Sequence, residues 1–470
     1  MKTCLKKVMA LAMMACFLFS MCACAAPVND NQPVQEGEKQ EIMKEDTKND
    51  IVLSGKKAEQ IFKAEYPEMV QYPVNEDHTY TYEDYDAWMT SKRERQPENK
   101  DYQNGIREFY EITMQEFLKD TQDQNKVYSP LNVYMALAML AETTDGNSRQ
   151  QILDLLGSKS IEELRNSASI LWNANYCDDG TVTSLLASSV WLSESLHYNM
   201  ETLKNLAEHY YASSFSGTMG SPEYNEMLQN WLNEQTGGLL EDQASQIEMD
   251  PLTVLGLATT VYFRAKWADE FNEANNTEEI FHTLSGDVTT EFMHQSGSDH
   301  YYWGENFSAI SRPLENSGEM LLILPDEDVT AESLLSDKEV MDFIQARASW
   351  ENEKFLIVNQ SVPKFDVVSD YSIVDGLQKL GITDVFDFGK SDFTPLTTDT
   401  EVALNQATHA ARVMIDEEGC VAAAFTVMLA CGAARPPEEK IDFVLNRPFM
   451  FVINGQDGQP LFVGIVNQPK

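Results

Sequence analysis

Three features of the sequence predict an α+β fold built around a large sheet. Helical segments crowd the first half of the globular region, apolar strand-like runs crowd the second, and no internal repeat divides them. The 470 residues are 43% hydrophobic and 23% charged, enough for a substantial core and too apolar for disorder throughout. Length alone suits two or three domains or one large one. Thirty-four Lys and Arg face seventy-five Asp and Glu, a formal charge of −41. Such a polyanion repels phosphate backbones and anionic surfaces. It argues against a nucleic-acid or heparin-like partner and fits a soluble, extracytoplasmic protein.

The chain opens with a targeting segment. Lys2, Lys6 and Lys7 precede the apolar stretch Val8 to Ser20, which is too short to span a bilayer comfortably and has the proportions of a secretory signal. Met21-Cys22-Ala23-Cys24 follows and resembles a bacterial lipobox, with Cys24 the better acceptor because Ala23 precedes it directly. The resemblance implies a signal peptide over 1–23, acylation of Cys24, and anchorage at the outer face of the cell membrane. The alternative is an ordinary signal cleaved after Ala23 or Ala25. Beyond this segment only Cys177, Cys420 and Cys431 remain, too few for a disulfide framework and too scattered for a zinc site. The sequence leaves open whether Cys420 and Cys431 pair.

Residues 24–50 are polar and acidic with almost no aromatics, a solvated tether. Residues 51–100 form an extension of unknown role. There Ile51, Leu53, Ile61, Phe62, Tyr66 and Trp88 suggest some packing, one short helix and a docked segment. The globular domain is expected over 101–470. Ile106, Phe109, Tyr110, Met114, Phe117 and Leu118 recur at helical spacing. Ser129-Pro130 supplies an N-cap and a first-turn proline for a helix over Leu131 to Leu140, apolar nearly all round and therefore buried. Asn147-Ser148 starts a further helix with Ile152, Leu153 and Leu156 inward and Gly157 as its stop. Strands are expected at Val254 to Phe263, Met320 to Leu324, Phe355 to Val362, Val413 to Ile415, Phe449 to Ile453 and Leu461 to Val466.

Catalytic motifs are missing. The seven histidines make no HExxH or HxH pair, and GxSxG is absent. Gly389-Lys390-Ser391 imitates the end of a phosphate loop, but Asp384 stands where its first glycine belongs and carries the wrong charge. Nothing points to an enzyme, a cofactor or a metal.

Seven blocks, in order, resemble the serpin family. Val127-Tyr128-Ser129-Pro130-Leu131 to Met139-Leu140 with Gln150-Gln151-Ile152-Leu153 is the first. Asn230 to Gly238, Tyr262-Phe263-Arg264-Ala265-Lys266-Trp267, Val362-Pro363-Lys364-Phe365 and Leu380 to Phe386 follow. His409 to Gly419 resembles the strand and hinge before the reactive loop, and Asn446-Arg447-Pro448-Phe449 the strand after it. The resemblance implies three β-sheets, eight to nine helices and an exposed reactive-centre loop that serves as bait. A serine protease, or in some cases a cysteine protease, attacks the loop as an acyl-enzyme. The cut loop then inserts as a new strand in the large sheet and drags the protease with it. Such a protein is metastable before cleavage and is consumed by its reaction.

The loop decides whether that mechanism applies. Glu417-Glu418-Gly419 followed by Ala422, Ala423 and Ala424 resembles the hinge of inhibitory serpins, with a glycine free in φ and side chains small enough to slide between strands. Two residues depart from the pattern. Cys420 replaces the usual Thr or Ser but is small enough to be buried, and Phe425 is large but falls on the outward face of an alternating strand. Counting Glu417 as the first, the seventeenth residue is Ala433, so the resemblance places the reactive bond between Ala433 and Ala434. Arg435 is an unsuitable site because Pro436 follows it. A small residue before the cut implies an elastase-like or subtilisin-like target. Gly432 remains open if the register slips.

By the same resemblance Ser129, Asn132, Thr259 and His409 form the shutter beneath the opening sheet, and Trp267 the breach above it. The family has serine where Asn132 stands and asparagine where Thr259 stands, so an amide-to-hydroxyl hydrogen bond is expected in reverse. His409 reads as a structural histidine. The alternative for the whole chain is a non-inhibitory serpin-fold surface protein that binds or stores a ligand and is cleaved only as a substrate. In either case a monomer is expected.

Overall fold

The computed structural model describes residues 14–25, 58–73, 81–97, 102–419 and 437–469. The helical periodicity of the first half becomes α1 (Tyr82–Arg95), α2 (Gln103–Leu118), α3 (Pro130–Thr143), α4 (Gly146–Leu155), α5 (Ile161–Asn175), α6 (Met200–Tyr210), α7 (Pro222–Gln235) and the single turn α8 (Glu241–Ala244). Two more, α9 (Lys338–Ala346) and α10 (Val374–Lys379), lie among the later strands. Ten helices are thus present among the described residues instead of eight or nine. Ser129 caps α3 by accepting the Asn132 N–H at 3.2 Å, and Pro130 occupies the first turn, where no N–H is needed. Every residue of α3 is buried, as its all-round apolar surface requires.

The first sheet runs β13 (Phe365–Ser372), β14 (Val402–Ile415), β1 (Met14–Ala25), β7 (Thr253–Arg264), β5 (Thr183–Ser193), β6 (Ala212–Gly217) and β2 (Glu59–Phe62), with the short β4 (Cys177–Asp178) on β5. The second strand network runs β15 (Lys440–Val444), β12 (Glu353–Pro363), β9 (Gly286–Trp303), β10 (Phe307–Pro313), β11 (Glu319–Pro325), β16 (Phe449–Asn454), β17 (Pro460–Val466) and β3 (Lys126–Tyr128). β8 (Thr277–Thr283) pairs with the start of β9, whose far end pairs with β10, so this one strand serves two sheets and the total is three. Strands gather in the second half as expected, from β7 onward, but the first sheet also takes β5 and β6 from the helix-rich half. These strands are serine- and alanine-rich and carry no strong apolar run.

Side-chain alternation sorts the first sheet into two faces. On β7, Leu255, Leu257, Val261 and Phe263 enter the main core, while Ala258 and Tyr262 turn to the other face. There they meet Tyr224, Leu228 and Leu232 of α7, so that helix crosses the outer face of the sheet. β1 lies in the lane between β7 and β14, antiparallel to both, with the Phe19 backbone opposite Thr259 and His409. This is the segment read as signal and lipobox. A chain processed at Cys24 keeps only the last two residues of β1.

Candidate functional site

The chemistry gathers at the end of β14, where the chain leaves the first sheet. Asp416, Glu417, Glu418 and Gly419 turn across the segment that follows β7. Trp267 N–H donates to the Glu418 carbonyl at 3.2 Å, and Phe271 N–H donates to the Glu417 carbonyl at 2.9 Å. The buried Trp267 indole donates to the Asp416 carbonyl at 2.9 Å, and the Arg312 guanidinium stacks on Phe271 at 4.2 Å and Trp267 at 5.2 Å. Gly419 has φ +86°, and a Cβ there would stand 2.4 Å from the Trp267 nitrogen. Only glycine fits, both for its backbone angle and for the space.

Three carboxylates meet at this turn. Glu417 pairs with the Lys364 ammonium at 2.6 Å and accepts a hydrogen bond from Asn276. Lys364 also holds Glu291 at 2.9 Å. Burial works against the lysine's charge, but its hydrogen bonds to Glu417 and Glu291 prevail and raise its pKa. Asp416 accepts the Glu418 N–H at 3.0 Å. Burial, with the charges of Glu417 and Glu418 adding to it, pushes the Asp416 carboxyl up to about 7. Ion-pairing holds Glu417 in place while its neighbour is held near neutrality.

Below, midway along β14, the shutter residues come together. Ser129, Asn132, Thr259 and His409 are all buried. His409 Nε2 accepts the Ser129 N–H at 3.3 Å, so the ring is neutral with its proton on Nδ1. Burial pushes its pKa down to about 3, and the Tyr128 and Tyr371 rings stand edge-on to it. The expected side-chain bond between Asn132 and Thr259 is not formed. Asn132 Nδ2 donates to the Thr259 carbonyl and Thr259 Oγ1 to the Asn132 carbonyl, each at 3.4 Å. The pair is adjacent as expected, but the helix start and the strand present their backbone oxygens to one another's side chains.

Cys24 lies in β1, its backbone opposite Ala403 and Thr253. Cys420, Ala422, Ala423, Ala424 and the pair Ala433 and Ala434 fall outside the described residues. Cys177 is buried, and burial pushes its thiol up to about 11. Lys390, in the imitation phosphate loop, pairs with Asp387 at 3.1 Å. Among the described residues no group of three or more His, Cys, Asp or Glu is placed to hold a metal ion. Sequence reasoning missed Lys364, Asn276, Phe271 and Arg312. Lys364 stood inside a recognised block, but nothing in that block names its partner beyond the end of the neighbouring strand β14.

Comparisons with known proteins point to one family and one fold. The family described as serpin (serine protease inhibitor) matches residues 105–469. The mouse plasma serine protease inhibitor is 28% identical over 364 residues, 75% of this chain and 87% of that protein. The human leukocyte elastase inhibitor is 27% identical over 356 residues, 73% of this chain and 93% of that protein. Among solved structures, the thermophilic serpin tengpin in its native state superimposes with a TM-score of 0.68 at 24% identity. That likeness covers 79% of this chain and 95% of tengpin. Human thyroxine-binding globulin complexed with thyroxine gives 0.67 at 21% identity, over 78% of this chain and 98% of the globulin.

Proposed function

The chain belongs to the serpin family, and on that premise we propose that it is a suicide-substrate inhibitor of extracellular serine proteases of elastase-like or subtilisin-like specificity. Cut between Ala433 and Ala434, the loop enters the first sheet beside β14 and traps the acyl-enzyme. The observation that carries this reading is the hinge itself. Gly419 stands at positive φ against the Trp267 backbone, and the turn before it is held by hydrogen bonds from Trp267 and Phe271 and by the Lys364–Glu417 ion pair. These are contacts between side chains or backbone groups and a single turn, so release of the turn on insertion breaks them and leaves the strand ladder of β14 intact.

The lane between β7 and β14 supports the same reading. It takes the twelve residues of β1 antiparallel to both neighbours, in the direction a loop leaving β14 through Gly419 would follow. The segment Cys420 to Cys431 is as long as β1. It ends just before the proposed bond. At the lane's midpoint the neutral His409 and the Asn132–Thr259 pair sit against the backbone, polar groups without charge that a passing strand can cross.

The protein acts, on this proposal, at the outer face of the cell membrane, held by lipid on Cys24, as a monomer. Mass spectrometry of the C-terminal fragment released from a denatured complex tests the register. A fragment beginning at Ala434 supports it, and one beginning at Pro436 overturns it. Cys24→Ser is expected to release the protein into the medium or block its processing, while unchanged membrane retention would refute the anchor.

A further inference from the structure

The outer face of the first sheet, which α7 crosses, is not filled along its whole length. Between α7, the strands β5 and β6 and the segment that follows β2 lies a cavity of about 1000 Å³, at the upper end of the range for small-molecule sites. Its floor is aromatic. Trp191 and Phe215 are register partners on β5 and β6, so their rings share one face and stack with centroids 4.4 Å apart. Both are buried. The half-buried Trp231 of α7 stands edge-on to Trp191 at 6.4 Å, and Met227 lies one turn before it.

The opposite wall comes from residues that precede the family match at residue 105. β2 pairs with β6, and the Ala64 N–H donates to Ser213 Oγ at 3.0 Å, which sets Lys63 and Glu65 at the rim. Glu223, Glu226 and Glu234 recur on α7 at the spacing of one helix face and complete that rim. All five are exposed. Four carboxylates thus stand with one ammonium around an aromatic floor. Among the described residues none of the five forms an ion pair. Aromatic rings turn the negative part of their quadrupole toward a cation, and the carboxylates add charge of the same sign. An anion would be repelled by both.

We propose that this cavity binds an organic cation, an aromatic or alkyl ammonium compound. Its apolar body lies on Trp191, Phe215 and Trp231, and its charge meets the carboxylates of α7. The cavity shares no residue with the hinge or the shutter, so the proposal stands apart from the inhibitor reading.

Fluorescence titration of the full chain with thioflavin T, an aromatic cation, tests this without any protease. One saturable site is expected, from which the non-fluorescent benzyltrimethylammonium displaces the dye. The aromatic anion anilinonaphthalene sulfonate should not compete. The double variant Glu226→Gln, Glu234→Gln should bind roughly tenfold more weakly, since each exposed carboxylate contributes a few-fold. Trp231→Ala should lose a similar factor. Lys63→Gln removes a like charge from the rim and should tighten binding about two- to threefold. A second double variant, Glu241→Gln, Glu248→Gln, makes the same change in net charge away from the cavity and should bind as the parent does. It separates the site from the general pull of a chain carrying −41. Absence of saturable binding, equal weakening in the two double variants, parent-like binding by Glu226→Gln, Glu234→Gln, or displacement by the anion overturns the proposal.

Discussion

Replacing Gly419 by alanine should destabilise the uncleaved protein and spare the cleaved one. In the uncleaved chain the residue sits at φ +86°, where an L side chain costs about 1–2 kcal/mol. The new Cβ would also stand 2.4 Å from the Trp267 nitrogen, a backbone atom that cannot swing aside. Relieving the overlap means moving the turn away from Trp267 and giving up its N–H bond to Glu418, a further ~1–2 kcal/mol. The sum is about 3 kcal/mol. Once the loop has been cut and inserted, residue 419 lies in extended backbone, where alanine is better than glycine by about 0.5–1 kcal/mol. Thermal melts of Gly419→Ala against the parent, before and after nicking of the loop, check this. The uncleaved variant should melt several degrees lower, and the cleaved variant at or slightly above its parent. Equal losses in both forms, or none in the uncleaved form, would show that the hinge does not move on cleavage.

Three further substitutions probe the same turn. Lys364→Met leaves the largely buried Glu417 carboxylate with Asn276 alone and should cost the uncleaved protein about 2 kcal/mol in urea unfolding, with Lys364→Arg recovering most of it. The Asp416 carboxyl is raised to about 7, so it binds more protons folded than unfolded. The stability it contributes is complete below pH 4 and is lost as pH rises through 7. Melting of Asp416→Asn should accordingly show a flatter decline between pH 5 and pH 8 than the parent, and parallel profiles would discount that carboxyl. Cys420→Arg would bury an unpaired charge on insertion, at a cost of several kcal/mol, and should turn the inhibitor into a substrate. Full trapping by that variant, counted by active-site titration, would move the hinge elsewhere.

What could be read from the sequence was local. The Ser129-Pro130 start of α3 and the Gly157 stop after α4 are each complete within a few residues. Gly157 takes φ +66° and the Ser158 N–H returns to the Leu153 carbonyl at 2.9 Å. β9 escaped notice because it is polar along most of its length, with Thr290, Phe292, Met293 and Tyr302 its only buried residues. It is held by neighbours on both sides, not by an apolar run of its own. The hinge glycine was legible from its place after Glu417-Glu418. The Trp267 indole on Asp416 was not, since the two are 149 residues apart. Sequence likewise placed Asn132 beside Thr259 but could not say that each would reach the other's backbone.

The central claim is that this chain traps its protease in place of merely feeding it. Denaturing electrophoresis after incubation with elastase or subtilisin, at several molar ratios, measures that directly. The account predicts a band at the summed mass of protease and inhibitor that survives boiling in detergent, and residual protease activity falling to zero near equal molarity. A chain cut to completion with no such band, and a protease left fully active, would contradict it.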